Sequence, residues 1–405
     1  MQPTATFARL LALLLLSAAA SAQPSRFSFS GETRARGEWL SDQFRAGEGG
    51  SDQQLALRTL LKIDYDFGPA AVVAEVQDSR GYFDDSGSPL SNSQINPADL
   101  LQLNVRVPWN HADREHVLTV GRQTLDIGSR RQVERVEFAN VIFSYTGVHL
   151  DVRSDGGHEW HAFAVVPLDR RPADRQSLVD NRAVADREAW QRRFWALHHI
   201  RKDVLPAVVD GLQAEAYIYG LHEDDTPSIP TPNRDYLTPG LRLFRAAAPA
   251  QIDFELEAAW RYGSRRASSA ATDVRDLDVR ARTLHFHLGW TFDNAWRTRV
   301  AIDYDYASGD RVPGDDRFDQ YERLFGSRRT DLGHTSIYGP LTPANLDAPG
   351  ARIEIQPTPR SDARLAWKLA RLDSARDAWV VPRVSDPSGT SGREIGNTLD
   401  MRWRW

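Results

Sequence analysis

Asn397-Thr398-Leu399-Asp400-Met401-Arg402-Trp403-Arg404-Trp405 closes the sequence. Read with period two, Leu399, Met401, Trp403 and Trp405 share one face, and Thr398, Asp400, Arg402 and Arg404 share the other. A strand buried in a soluble core seldom backs an apolar face with one that ends in two arginines. A strand in a membrane barrel does, because one face meets lipid and the other meets water. The stretch therefore predicts the closing strand of an outer-membrane β-barrel. It is expected to pair with the first strand so that no edge stays open, with its terminal aromatic residue as an assembly signal.

The N-terminus agrees with that address. Arg9 precedes the apolar run Leu10 to Leu16, and small residues then lead to Ala20-Ser21-Ala22. This is the pattern of a secretory signal peptide over residues 1–22, too short for a transmembrane helix, which needs about 20 apolar residues. Residues 23–405 are then one barrel domain. A mean hydropathy of -0.49 and 26% charged residues suit a barrel in which only alternate residues face lipid. The chain has no cysteine, so disulfides and thiolate metal sites are excluded. A net charge of -5 argues against a nucleic-acid partner. Of 50 basic residues only Lys62, Lys202 and Lys368 are lysines. Genome composition accounts for that bias, although the planar arginine fork also suits carboxylates.

Outward from the closing strand, the same alternation recurs. In 26–40, Phe27, Phe29, Thr33, Ala35 and Trp39 oppose Glu32, Arg34, Arg36 and Glu38. In 54–67, Leu55, Leu57, Leu61, Ile63 and Tyr65 oppose Arg58, Lys62 and Asp64. Further strands are expected near 70–79, 100–107, 116–126, 138–153, 159–167, 193–202, 211–222, 237–246, 250–262, 279–292, 295–307, 350–357, 363–372 and 394–405. Short turns alternate with long loops at 80–98, 168–192, 222–236, 263–278 and 308–349. The fold class is all-β: a single transmembrane, antiparallel, up-and-down barrel of about 16 strands, or about 18 if a hairpin hides in 168–192, with both termini periplasmic.

The inward set carries charge of both signs. Arg34, Arg36, Arg58, Lys62, Arg106, Arg122, Arg242, Arg402 and Arg404 oppose Glu32, Asp64, Glu75, Glu215, Asp253, Glu255, Glu257, Asp303, Asp305 and Asp400; Arg297 and Arg299 are also expected to point inward. Such charge keeps a lumen wet and, where one sign clusters, selects solutes of the other. Inward Arg–carboxylate pairs equally stiffen a barrel wall. His285 and His287 lie two apart on one strand face, but no dense carboxylate or thiolate cluster in sequence accompanies them, and lumen histidines are the simpler reading. No Gly-x-Ser-x-Gly elbow occurs.

Three stretches together resemble the alginate-export family of outer-membrane barrels. The first runs from Gly121-Arg122-Gln123 through Gly128 and Arg131 to Asn140 and Gly147. The second is Asp303-Tyr304-Asp305-Tyr306-Ala307-Ser308-Gly309-Asp310 with Phe318-Asp319-Gln320 and Tyr338-Gly339. The third is Gly396-Asn397-Thr398-Leu399-Asp400. The resemblance implies a monomeric barrel whose arginine-lined constriction passes an anionic polysaccharide. Arg122 and Arg131 match its motif positions. Alternation adds Arg34, Arg36, Arg58, Arg106, Arg402 and Arg404 as pore-lining candidates. The leading expectation is a passive channel of the bacterial outer membrane for an alginate-like polymer or small anions. Outer-membrane lipid and periplasmic export proteins are its expected partners, with no cofactor, metal or catalytic residue. Two alternatives stand beside it: a barrel enzyme of lipase or protease type around His285 and His287, and a structural or adhesive barrel plugged by its own loops.

Overall fold

The computed structural model describes residues 26–85, 87–327, 329–333 and 337–405; the predicted signal peptide lies outside them. The strands are β1 (Arg26–Leu40), β2 (Asp52–Asp66), β3 (Ala71–Tyr82), β4 (Asn96–His111), β5 (Arg114–Gln123), β6 (Tyr145–Ser154), β7 (His158–Asp169), β8 (Arg187–Glu188), β9 (Arg192–Arg201), β10 (Leu212–Glu223), β11 (Asp235–Arg245), β12 (Gln251–Arg266), β13 (Asp276–Thr291), β14 (Arg299–Ala307), β15 (Arg317–Phe318), β16 (Leu346–Thr358), β17 (Ser361–Arg371) and β18 (Glu394–Arg404). Among the described residues, β8 and β15 have two residues each, and the other sixteen strands are long. Each long strand pairs antiparallel with the next in sequence. The result is an all-β, up-and-down barrel wall.

Alternation fixes which face turns out. On β12 the outward Leu256 and Trp260 are exposed, while Asp253, Glu255, Glu257 and Arg261 are buried. On β14 the outward Val300 and Ile302 are exposed, while Arg299, Asp303 and Asp305 are buried. Burying charge while exposing isoleucine is unfavourable in water and favourable in lipid. Short turns close the expected periplasmic side, as at 67–70, where the Phe67 amide donates to the Ala70 carbonyl at 3.0 Å.

The structure corrects four expectations. Among the described residues no register pairs join β18 to β1. Arg402 and Arg404 pair with Asp362 of β17, at 2.8 and 2.9 Å. At the long-loop end the two flanks meet through loops, the Ala46 amide donating to the Pro382 carbonyl at 2.9 Å. The expected strand 138–153 starts only at Tyr145. Its first residues belong to a loop folded into the lumen, where apolar side chains pack inward without a ladder. Segment 168–192 holds a one-turn helix, Arg175–Val179, and β8, with no spanning hairpin. Arg297 sits exposed in the β13–β14 turn, its amide donating to the Asn294 carbonyl.

The core lies inside the barrel. Leu125, Ile127 and Val133 from loop 124–144, with Tyr321 and Leu341 from loop 308–345, pack on Phe163, Phe194, Tyr219, Ala259 and Val279 of the wall. Each fully buried large apolar side chain is worth about 1.5–3 kcal/mol, so these loops are part of the folded structure. They also pair with each other: the Glu134 amide donates to the Phe325 carbonyl, and the Ser327 amide to that of Arg130. A side chain at Gly326 would put its Cβ 1.8 Å from the Arg131 carbonyl oxygen, so only glycine lets the two loops touch there.

Candidate functional site: an arginine-rich lumen narrowed by two loops

Loop 124–144 enters the lumen along an arginine clamp. Arg34 donates to the carbonyls of Glu137 and Ala139, both at 2.9 Å. Arg36 donates to the Phe138 carbonyl at 2.6 Å and lies 4.6 Å from the centroid of its ring. Arg58, almost wholly buried, reaches the carbonyls of Glu137 and Ala139 and pairs with Glu32 at 2.7 Å. Asn140 completes the anchor, its buried amide donating to carbonyls of Leu57, Arg80 and Gln94. Three predicted pore arginines thus hold a loop as well as face the lumen.

Arg131 stands deeper, where the two loops meet the wall. It pairs with Glu255, with Glu257 at 2.7 Å, and with Asp331 at 2.8 Å. Asp331 belongs to the one-turn helix Arg329–Leu332 of the second loop. Burial would raise its carboxyl, but Arg131 and His285 hold it well below the usual carboxylate range. The same loop is tied a second time through Glu322. Glu322 accepts from Arg234 and Arg265 at 3.2 Å each and from the Tyr236 hydroxyl at 2.8 Å. Burial alone would raise Glu322; Arg234, Arg265 and Arg261 together keep it below its ordinary value.

The remaining predicted residues are also paired. Arg122 donates to the Leu100 carbonyl at 2.8 Å and to Glu188 at 3.1 Å, with Asp99 at 3.8 Å. Arg106 lies 3.8 Å from Asp64. His285 and His287 do point inward, as their spacing predicts. His285 bonds Asp305 at 2.7 Å, and His287 lies 3.2 Å from Asp253. Ligand atoms of Glu255, His285 and His287 come together, as do those of His285, Asp305 and Asp331. Arg131 and Lys368 already neutralise those acids, Lys368 pairing with Asp303 and, at 2.5 Å, with Asp305.

Two features were not legible from alternation. Guanidiniums face each other across the ladder, Arg34 opposite Arg58 and Arg364 opposite Arg402. The second is a cavity of 260 Å³ between the loops, lined by Arg45, Gln94, Phe143, Arg170, Arg323 and Ser327 among others. Its three arginines sit in segments without strand period, so nothing in the sequence aims them at a common point.

The matches to known proteins agree with this architecture. The sequence matches the family described as Alginate export over residues 25–405. No protein of curated function matches it. Among solved structures it is similar to Pseudomonas aeruginosa OccD3 (OpdP), with a TM-score of 0.55 at 11% identity over 94% of this chain and 81% of that one. It is also similar to P. aeruginosa OpdK with vanillate, with a TM-score of 0.52 at 12% identity over 86% and 82%. P. aeruginosa OccK2 (OpdF) in complex with glucuronate gives a TM-score of 0.50 at 12% identity over 86% and 81%. With lipid-facing strands, a charged lumen and a family match along the whole described barrel, the chain belongs to the alginate export family and is an outer-membrane β-barrel channel.

Proposed function

We propose that this channel passes anionic solutes passively, either a uronate polysaccharide of alginate type or small carboxylates, along its arginine rows. The observation that carries the reading is the pair of guanidinium-on-guanidinium positions, Arg34/Arg58 and Arg364/Arg402. Like charges directly opposite each other destabilise a sheet; Glu32 beside Arg58 and Asp362 beside Arg402 offset part of that repulsion, and a solute carboxylate would add to the relief. Arg34, Arg36, Arg58, Arg106, Arg402 and Arg404 form the basic wall in this reading; Arg122 and Arg131, clasped by acids, position the loops beside it. Water in the lumen weakens each contact enough for the solute to leave. Glucuronate and vanillate, named for two structural neighbours, are both carboxylates, which supports the choice of solute class. One chain forms one pore, and transport needs no covalent step.

The test is the reversal potential of the purified protein in a planar bilayer under a salt gradient. Anion selectivity is expected, and it should weaken when Arg364 and Arg402 are both changed to glutamine. A cation-selective wild-type channel overturns the proposal.

A further inference from the structure

The cavity between the loops gathers three arginines without a carboxylate at any of them. Elsewhere most of the interior arginines described above have a carboxylate within 4 Å, and Arg34 is held by loop carbonyls. Here Arg170 makes no ion pair among the described residues and lies 4.4 Å from the centroid of the Phe143 ring. Arg323 donates to the Gly326 carbonyl at 2.7 Å. Arg45 donates to Gln43 Oε1 at 3.0 Å and to the Ile337 carbonyl. None of the three has a carboxylate within ion-pair distance among the described residues.

Burial pushes Arg170 down to about 10, with Arg323 adding to the effect and Asp186 opposing it. Burial lowers Arg323 as well, against the field of Glu134. Asp186 is itself engaged with the Asn96 side chain at 2.8 Å and the Arg171 amide at 2.7 Å. The Tyr145 hydroxyl is wholly buried and has no hydrogen-bond partner among the described residues. Half-buried cations with no carboxylate beside them favour a visiting anion. Arginine's weakly hydrated fork takes a carboxylate with two parallel hydrogen bonds. The volume and the polar rim of Gln94, Ser93 and Ser327 suit one small carboxylate carrying hydroxyls.

We infer that this cavity is a carboxylate-binding station in the channel, with Arg170 and Arg323 gripping the carboxylate and Arg45 closing the rim. The station deepens the anion-channel reading and rests on it. Phe143 fixes the guanidinium plane of Arg170, so the fork is set before the solute arrives. The site takes one carboxylate at a time, and a polymer would engage it unit by unit.

The experiment is calorimetric titration of sodium glucuronate into the detergent-purified protein, repeated with glucose and with inorganic phosphate. Block of single-channel current by glucuronate is measured alongside. Wild type should bind glucuronate and not glucose. Arg170→Gln and Arg323→Gln should each weaken binding about tenfold or more, and Arg170→Lys should recover part of the loss because charge is kept while the fork is gone. Circular dichroism checks that each variant folds; if either glutamine variant does not, Arg45→Gln at the rim carries the same test. Undiminished glucuronate binding in the folded variants, or binding of phosphate but not glucuronate, overturns the station. An anion-selective channel that binds no glucuronate sinks the station and leaves the channel reading standing; a cation-selective channel sinks the latter.

Discussion

At the residue scale, the lumen is governed by what each charge is tied to. Arg131 is a lumen arginine by position, yet three carboxylates claim it. Gly128, a few residues before it, has a positive φ of 58°, and a Cβ there would fall 2.6 Å from the buried His198 ring. The motif positions Gly128 and Arg131 therefore seat loop 124–144 against the wall. Asp186 shows the opposite electrostatics from Asp331. Burial, then the charge of Asp99, raises its carboxyl from 3.8 to about 7. Between those values the native state keeps a proton that the unfolded chain releases, so stability falls as pH rises from about 4 to about 7. Asp186→Asn should flatten the thermal midpoint against pH in that window and raise the midpoint near neutrality. A variant whose midpoint follows pH as steeply as wild type would refute the assignment.

At the element scale, the two loops behave as a core threaded into a barrel. Phe325 of one loop lies 4.7 Å from Phe194 of the wall, centroid to centroid. The Ser308-Gly309-Asp310 stretch serves this packing: the Ser308 hydroxyl donates to the Asp319 carbonyl at 2.7 Å, and the Gly309 and Asp310 amides donate to Asp373 and Asp377. The arginine clamp is the matching device for loop 124–144. Arg58→Gln removes donors from two loop carbonyls that Arg34 alone then serves. A lost bond to a charged group costs about 1.5–3 kcal/mol, so amide exchange across 134–141 should speed about tenfold or more while β2 and β3 stay protected. Equal acceleration in the strands would mean that the clamp supports the barrel and not the loop.

At the scale of the whole molecule, the barrel is turned inside out relative to a soluble protein. Leu256 on β12 is 46% exposed while its neighbours Glu255 and Glu257 are buried. Leu256→Arg should lower unfolding stability by about 2–4 kcal/mol in lipid, as for a cation near the bilayer midplane. Denaturant titration in vesicles reads this directly; a neutral result would place that face away from the hydrocarbon. A lipid-facing surface thus encloses a lumen filled by ion pairs and loops, with the inter-loop cavity between those loops.

Period two by itself determined the fold class and the sixteen-strand layout, because lipid and water impose opposite demands on alternate residues. It also placed Arg34, Arg36, Arg58, Arg106, Arg122, Arg402 and Arg404 on the inner face, and it aimed His285 and His287 correctly. Only the tertiary structure decided which charges are spent. Arg131 meets Asp331 across 200 positions, and Arg58 meets the Glu137 carbonyl across 79; no local pattern encodes such distances. The boundary at Tyr145 escapes for the same reason, since the apolar run Val141-Ile142-Phe143 has the composition of a strand while packing as a loop. Arg45, Arg170 and Arg323 come from three separate loops, and loops carry no period from which a shared cavity could be read. The closing strand keeps the lipid face that Leu399, Met401 and Trp403 gave it, with all three exposed. Its arginines pair with Asp362 on the preceding strand, a carboxylate that the β17–β18 register sets opposite Arg404.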